Sequence, residues 1–285
     1  MGRPDDRNGL LLLDERWAEI KDVRMRYYVG GEGPPLILVH GLAGAAANWA
    51  GVAARLAGRF RLLIPDLPGH GGSTAFAAVT TLDPYADRVA RLAELEGMGR
   101  VAVAGHSMGG LVGLRLGVNF PELVSRLMLT AAAGIRSSTR EAERYLAAAA
   151  LIRPSRRYSR HRSAIAQSRF LRLLVFGYFG ASDPAAMSDV AVDGFLAGLG
   201  EHTDTASARR ALVRADPRLD LARVGCPVLL LWGARDNQVT VEDAFEYARR
   251  LRVPLRLIAD CGHLLIGERS DACAEAIADF AGEAG

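Results

Sequence analysis

The chain has 285 residues, half of them hydrophobic and 24% charged, a balance that predicts a buried core and excludes a disordered chain. The formal net charge is only +3, so composition gives no sign of nucleic-acid binding, and we expect no nucleic-acid partner. Three cysteines without a C-x-x-C pair indicate neither a disulfide framework nor a zinc site.

The N-terminus indicates no targeting segment. Its first residues carry acids where a secretory signal needs bases, and the apolar run 10–13 is too short for a signal core or a membrane span. We therefore expect a soluble cytoplasmic protein with no stable membrane insertion.

Apolar strands alternate with helices along most of the chain. Strands are predicted over 17–23, 24–29, 36–39, 61–64, 101–104, 126–130, 228–232 and 255–259. Helices are predicted over 48–57, 84–96, 108–119, 241–251 and 269–281. This alternation predicts an α/β fold with a mostly parallel central sheet flanked by helices.

The stretch 135–215 breaks the alternation. It contains helical pieces over 141–152 and 163–179, with no convincing strand between them. We interpret it as a helical cap over the carboxyl edge of the sheet, where ligands of open α/β sheets bind. The α/β core then comprises 1–134 and 216–285. Because 171–179 is largely apolar, we expect the cap to shape an apolar acyl or aryl pocket.

A G-x-S-x-G motif with Ser107 at its centre lies between a predicted strand and a predicted helix. That placement is typical of a nucleophile elbow, in which a sharp turn strains the serine backbone and raises the hydroxyl above the sheet. Gly105 and Gly109 lack Cβ atoms, so neighbouring backbone can approach closely. The motif predicts Ser107 as a nucleophile; a simple helix cap is the alternative interpretation.

A serine nucleophile needs a base, usually an imidazole held by a carboxylate. In the fold that carries a nucleophile elbow of this kind, the chain order is serine, acid, histidine. His263 follows the last predicted strand, whereas its competitor His202 lies in the irregular insertion. Asp236 follows the strand 228–232. We therefore predict His263 as the base and Asp236 as the acid that orients it.

Two backbone N–H groups are needed to bind the developing oxyanion. One is predicted at Met108, the residue after the nucleophile. The other is predicted at Leu42, in the loop after the strand 36–39. His40, in the same loop, is expected to hold the loop in place without taking part in the chemistry.

Together these motifs resemble the α/β-hydrolase superfamily, across essentially the whole chain. The matching pieces are His40-Gly41, Asp66-Leu67-Pro68-Gly69-His70-Gly71, Gly105-His106-Ser107-Met108-Gly109-Gly110, Gly233-Ala234-Arg235-Asp236 and Gly262-His263. The resemblance implies a capped, serine esterase-like or lipase-like member in which 66–71 is a structural turn. Haloalkane dehalogenases and epoxide hydrolases carry a carboxylate where this chain has Ser107.

The leading hypothesis is hydrolysis of a small-molecule carboxylic ester through an acyl-enzyme on Ser107. No phosphate-binding or metal-binding motif is present, so no cofactor and no metal are expected. One alternative is a C–C bond hydrolase of ring-fission (meta-cleavage) products with the same triad, although these commonly carry Asn where this chain has His106. Another is a non-catalytic ligand-binding protein with the hydrolase fold. A homodimer remains open.

Overall fold

The computed structural model describes residues 8–135, 155–177 and 180–282, without the side chains of 155–157 and Leu199. Its centre is one eight-stranded sheet in the order β1-β2-β4-β3-β5-β6-β7-β8. The strands are β1 (Asp14–Ile20), β2 (Val23–Gly30), β3 (Pro35–Val39), β4 (Arg61–Pro65), β5 (Val101–His106), β6 (Val124–Thr130), β7 (Val228–Gly233) and β8 (Leu255–Ile258). β2 pairs antiparallel with both β1 and β4, and all later pairings are parallel, which confirms the predicted sheet.

Helices cover both faces of this sheet. In the described residues they are α1 (Ala50–Leu56), α2 (Asp83–Leu95), α3 (Met108–Asn119), α4 (Ser155–Arg160), α5 (Arg162–Gln167), α6 (Arg169–Phe176), α7 (Asp189–Ala197), α8 (Thr205–Arg214), α9 (Val241–Leu251), α10 (Leu265–Glu268) and α11 (Ser270–Gly282). Within the described ranges, no helix is both long enough and apolar enough to cross a bilayer.

The first predicted strand boundary is wrong. The turn between β1 and β2 lies at Lys21 and Asp22, whereas the prediction placed Val23 in the first strand. Ile20 pairs with Val23, and both side chains are buried, so core packing determines where the strands end. Lys21 has a φ of 58°, a left-handed conformation that a lysine does not signal in a sequence.

The described residues between β6 and β7, hereafter the β6–β7 segment, are helical and contain no strand. The predicted helix 141–152 lies outside the described residues, as do residues 178–179 of the second one. The rest of that second helix is broken at Ser168, whose hydroxyl accepts the Leu171 N–H at 3.3 Å and begins a new helix. The division into a core and a cap stays a prediction.

The buried side chains of the β6–β7 segment are not simply its apolar ones. Val175 and Phe176 are buried in the segment's own small core. Arg172 is also buried, because its guanidinium donates to the carbonyls of Ala166 and Met187. The apolar side chains of Phe170, Leu173 and Leu174 are exposed instead. The largely apolar sequence therefore serves two faces of α6, of which one packs inward.

The parallel strands bring four loops to the same edge of the sheet. The loops after β3, β5, β7 and β8 all leave from carboxyl ends of strands that run in one direction. They carry Leu42, Ser107, Asp236 and His263 respectively. Residues far apart in the sequence are thus gathered at the edge where ligands of open α/β sheets bind.

Three buried histidines bond to backbone at this edge, two of them across loops and His70 within its own turn. His40 accepts the Leu67 N–H, the His70 ring donates to Pro68, and the His106 ring donates to the carbonyl of His263. Burial lowers the pKa of His40 to about 3 and that of His106 to about 3. Burial also places the pKa of His70 well below its usual value. All three imidazoles are therefore neutral near pH 7.

These histidines predict a loss of stability in mild acid. In the unfolded chain an imidazole has a pKa of about 6.5, above its folded value, so the unfolded state binds more protons. The free energy of unfolding should fall as the pH drops through that value, by about 1.4 kcal/mol per pH unit for each such histidine. The loss should continue toward the folded-state pKa values near 3.

Urea unfolding measures this slope when it is repeated at several pH values between about 7.5 and 5. Unfolded imidazoles titrate over roughly this range. The control is His161→Gln, because His161 is exposed and its loss should leave the slope unchanged. A free energy of unfolding that stays constant over this range would contradict burial of neutral imidazoles.

Candidate active site

Ser107 adopts a strained backbone at the end of β5, with φ of 54° and ψ of −119°. Such a conformation costs a non-glycine residue of order 1–3 kcal/mol. Backbone hydrogen bonds hold it: the Ser107 N–H donates to Thr130, and its carbonyl accepts from Gly110 and Ala133, all within 2.9–3.0 Å. The hydroxyl makes no capping bond to α3, so the helix-cap interpretation is wrong.

The glycines of the motif are required by close backbone approach. A Cβ on Gly105 would lie 2.2 Å from the Gly109 carbonyl oxygen, and one on Gly109 would lie 2.3 Å from the Val39 carbonyl oxygen. A Cβ on Gly110 would lie 2.5 Å from that of Ala132. The predicted role of Gly105 and Gly109 is confirmed: together with Gly110, they allow α3 to begin directly against β3 and the loop after β6.

Ser107, His263 and Asp236 form one hydrogen-bonded chain. The Nε2 of His263 lies 3.1 Å from the Ser107 hydroxyl oxygen, and its Nδ1 lies 2.8 Å from Oδ2 of Asp236. The other carboxylate oxygen of Asp236 accepts the N–H groups of Gln238 and Val239, each at 2.9 Å. Because a carboxylate only accepts, Nδ1 of His263 carries the proton and Nε2 is left to accept one.

Burial strengthens the hydrogen bonds among Ser107, His263 and Asp236. The side chain of Asp236 is fully buried and that of His263 is 6% exposed, while Ser107 is partly accessible. Hydrogen bonds between charged and polar groups are stronger where water is excluded. The arrangement can therefore take a proton from the serine hydroxyl and stabilise the imidazolium that results.

The backbone of His263 is fixed from both sides. Its N–H donates to Gly180 of the β6–β7 segment at 2.7 Å, and its carbonyl accepts the ring N–H of His106 at 2.8 Å. The preceding Gly262 N–H donates to Glu268 at 3.1 Å. His106, which has no predicted site role, thus holds the histidine loop from the end of β5.

Glu268 is a site residue that sequence reasoning missed. Its carboxylate accepts the N–H groups of Ser182 at 2.8 Å and Asp183 at 3.1 Å as well as that of Gly262. It is buried, and burial raises its pKa. Glu268 therefore joins the β6–β7 segment to the loop that carries His263. Glu268 is the last residue of α10, and no pattern in the sequence sets it apart from a surface acid.

The loop after β3 lies against Ser107. A Cβ on Gly41 would lie 3.0 Å from the Ser107 Cβ. Because His40 accepts the Leu67 N–H on Nε2, its protonated Nδ1 donates to the Gly41 carbonyl at 2.8 Å. The same carbonyl accepts the Gly44 N–H at 3.1 Å. In a planar trans peptide the N–H points opposite to the carbonyl, so this pair of bonds fixes the direction of the Leu42 N–H.

The two predicted oxyanion donors lack an acceptor in the part of the chain that the structure describes. Within residues 8–135, 155–177 and 180–282, neither the Leu42 N–H nor the Met108 N–H donates a hydrogen bond. Met108 begins α3, where the first N–H groups of a helix have no partner in the helix and carry partial positive charge. Both N–H groups are available to an acceptor beside Ser107.

The turn 66–71 has a structural role. The buried carboxylate of Asp66 accepts the N–H groups of Ala46 at 2.7 Å and Gly72 at 2.9 Å, and pairs with Arg26 at 2.7 Å. It therefore connects the loop after β3 to β2. The described residues contain no cluster of three His, Cys, Asp or Glu side chains able to hold a metal ion.

The chain is similar to two named hydrolases and to uncharacterized mycobacterial proteins. The chain is 32% identical to the pimeloyl-(acyl-carrier protein) methyl ester esterase of Nitrosomonas europaea, over 82% of this chain and 90% of that protein. It is 29% identical to the (E)-2-((N-methylformamido)methylene)succinate hydrolase of Acinetobacter baylyi, over 79% and 81% respectively. Uncharacterized proteins of Mycobacterium tuberculosis and Mycobacterium bovis are 38% identical over 120 residues; there the match spans 42% of this chain and 35% of theirs.

Solved structures agree on the fold. The chain superposes on the crystal structure of E-2-(acetamidomethylene)succinate hydrolase with a TM-score of 0.74 at 18% identity, covering 95% of this chain and all of that one. The family model described as "Alpha/beta hydrolase family" matches residues 36–276, which is most of the chain. The protein therefore belongs to the alpha/beta hydrolase family.

Proposed function

We propose that this hydrolase cleaves carboxylic esters through an acyl-enzyme on Ser107, with His263 as general base and Asp236 holding the imidazole. The observation that carries the proposal is the continuous hydrogen-bonded chain from the Asp236 carboxylate through the imidazole to the Ser107 hydroxyl. A serine at a strained elbow with a correctly protonated imidazole beside it is the arrangement that nucleophilic acyl transfer requires.

In the first half-reaction, the Ser107 oxygen bonds to the ester carbonyl carbon while its proton passes to Nε2 of His263. The tetrahedral intermediate collapses, the bond to the alcohol oxygen breaks, and the alcohol leaves with the proton from the imidazolium. Water then repeats the sequence: the imidazole takes its proton, the acid is released and Ser107 regains its hydrogen. Asp236 stabilises the imidazolium at both stages.

Negative charge develops on the carbonyl oxygen in both half-reactions. We assign its stabilisation to the backbone N–H groups of Leu42 and Met108, which have no other acceptor among the described residues. Such a pair acts on the transition state more than on the bound ester, so it raises kcat. Removing one donor typically lowers kcat by about 10²–10³-fold.

A small ester with an apolar acyl or aryl group is the substrate class that we propose. The β6–β7 segment lies against the candidate site, because Gly180 accepts the His263 N–H and Glu268 binds Ser182. This supports its proposed role as a cap that bounds the pocket. One relative is named as an esterase of a pimeloyl-(acyl-carrier protein) methyl ester, which supports ester hydrolysis as the reaction.

The first prediction from this proposed function concerns Ser107→Ala. With a short-chain p-nitrophenyl ester, pre-steady-state release of p-nitrophenol should show a burst or sustained turnover in wild type and neither in the variant, because only the hydroxyl oxygen can form the acyl-enzyme. The control is Ser163→Ala, at an exposed serine of the β6–β7 segment, and it should behave as wild type.

Equal inertness of wild type and Ser107→Ala toward esters of all chain lengths would contradict the proposed reaction. Assay with ring-fission diketones then distinguishes a C–C hydrolase with the same three residues from a protein that only binds ligands. If wild type turns over such a diketone and Ser107→Ala does not, Ser107 remains the proposed nucleophile and the proposed substrate class changes from esters to diketones.

The second prediction concerns Asp236→Asn. An amide can donate to Nδ1 of His263 and favour the tautomer that places the proton on Nε2, which then cannot accept the serine proton. We expect kcat to fall by about 10⁴-fold, as in serine hydrolases where this acid is replaced by its amide. Steady-state kinetics on the same ester measures the effect.

Asp279→Asn is the matched control, because Asp279 is an exposed acid on α11 that forms a surface ion pair with Arg256. A decrease in kcat of less than about tenfold in Asp236→Asn would be far below the loss expected for the orienting acid. That result would assign the role to a different carboxylate.

A further inference from the structure

The imidazole of His202, in the β6–β7 segment, lies between two loops of the site edge. Its Nδ1 lies 3.1 Å from the Gly71 nitrogen, and its Nε2 lies 2.9 Å from the Ala43 carbonyl oxygen. The Gly71 N–H can only donate, so Nδ1 accepts and the proton is on Nε2. The His202 ring therefore donates to the Ala43 carbonyl in the loop that carries Leu42.

From Ala43 the hydrogen bonds continue toward the candidate oxyanion site. The peptide between Ala43 and Gly44 accepts from His202 through its carbonyl and donates through its N–H to the Gly41 carbonyl, at 3.1 Å. That carbonyl belongs to the peptide unit whose N–H is that of Leu42. These hydrogen bonds form one connected series of aligned peptide dipoles, in which each bond polarises the next.

The loop needs such support because its conformation is unfavourable. Ala43 has a φ of 55°, in the left-handed region that residues with a Cβ rarely adopt. His40 holds the Gly41 carbonyl from the core side, whereas His202 holds the Ala43 carbonyl from the β6–β7 segment. The His202 ring is itself packed edge-on against His70, with ring centroids 5.5 Å apart.

We propose that His202 is a positioning residue for the oxyanion hole, acting through Ala43 and Gly44 to aim the Leu42 N–H at the substrate carbonyl. The inference rests on the proposed function, since it concerns the donors that we assign to the acyl-transfer reaction. It makes the β6–β7 segment a supplier of active-site geometry in addition to a wall of the pocket.

Neighbouring bonds of the same segment provide a contrast. Thr203 and Asp204 both donate their N–H groups to the Gly69 carbonyl at 3.1 Å, and the Thr203 hydroxyl donates to Ser73 at 3.1 Å. These hydrogen bonds attach the β6–β7 segment to the turn 66–71 and to Ser73 just after it. None of them involves the loop that carries Leu42. Thr203→Val therefore weakens the attachment and leaves the His202 bond to Ala43 in place.

Two substitutions of His202 separate its two bonds. A glutamine amide nitrogen occupies nearly the place of Nε2 and can donate to Ala43, whereas an asparagine oxygen occupies nearly the place of Nδ1 and can accept from Gly71. We expect His202→Asn to lower kcat on the p-nitrophenyl ester about tenfold, below the loss for a deleted donor, with KM unchanged. His202→Gln should stay within about threefold of wild type, a small part of the loss for a deleted donor.

Thr203→Val should match wild type. The proposal is overturned if His202→Asn keeps wild-type kcat, if His202→Gln is no better than His202→Asn, or if Thr203→Val loses as much as His202→Asn. A rise in KM alone would also overturn it, because a donor aimed at the transition state changes kcat.

A second readout does not depend on ester turnover. An alkyl fluorophosphonate forms a bond between phosphorus and the Ser107 oxygen as fluoride leaves, and its phosphoryl oxygen needs the same N–H donors. The labelling rate should fall about tenfold in His202→Asn and be restored in His202→Gln. If the wild-type protein neither hydrolyses esters nor reacts with the fluorophosphonate, the proposed function is contradicted. If all variants react with the fluorophosphonate at the same rate, only the proposed role of His202 is contradicted.

Discussion

The backbone of Ser107 is the constraint on which the rest of the site depends. Holding a non-glycine residue at a φ of 54° between a strand and a helix requires partners that leave it no other conformation. Backbone hydrogen bonds to the loop after β6 supply part of this, and the bare Cα atoms of Gly105 and Gly109 allow the close contacts that supply the remainder. The result is a hydroxyl that does not cap its own helix and lies within reach of His263.

Around this residue, buried polar groups hold the loops by bonding to backbone. His40, His106, Asp66 and Glu268 are all buried, and each has a backbone partner in another loop. Leaving such a group unpaired costs more than an exposed hydrogen bond contributes, so each interaction favours one loop arrangement over others. Rigid loops on a rigid sheet keep the reacting groups aligned, which is what acyl transfer needs.

Much of this organisation could be predicted from the sequence, for a physical reason. Ser107, Asp236 and His263 each follow a buried strand, and parallel strands bring their carboxyl ends to one edge whatever their distance along the chain. Glu268 and His202 could not be predicted in this way, because their partners are backbone groups from distant segments and leave no local pattern. The turn at Lys21 and the buried guanidinium of Arg172 were missed because packing overrides local preference there.

The central claim is that Ser107 carries the acyl group during turnover. Peptide mass spectrometry of protein quenched in acid while it hydrolyses a slow ester tests this directly. The account predicts that the peptide containing Ser107 gains the mass of the acyl group minus one hydrogen, and that the gain disappears once substrate is exhausted. Steady turnover with that peptide unmodified, or with the acyl group on another residue, would contradict it.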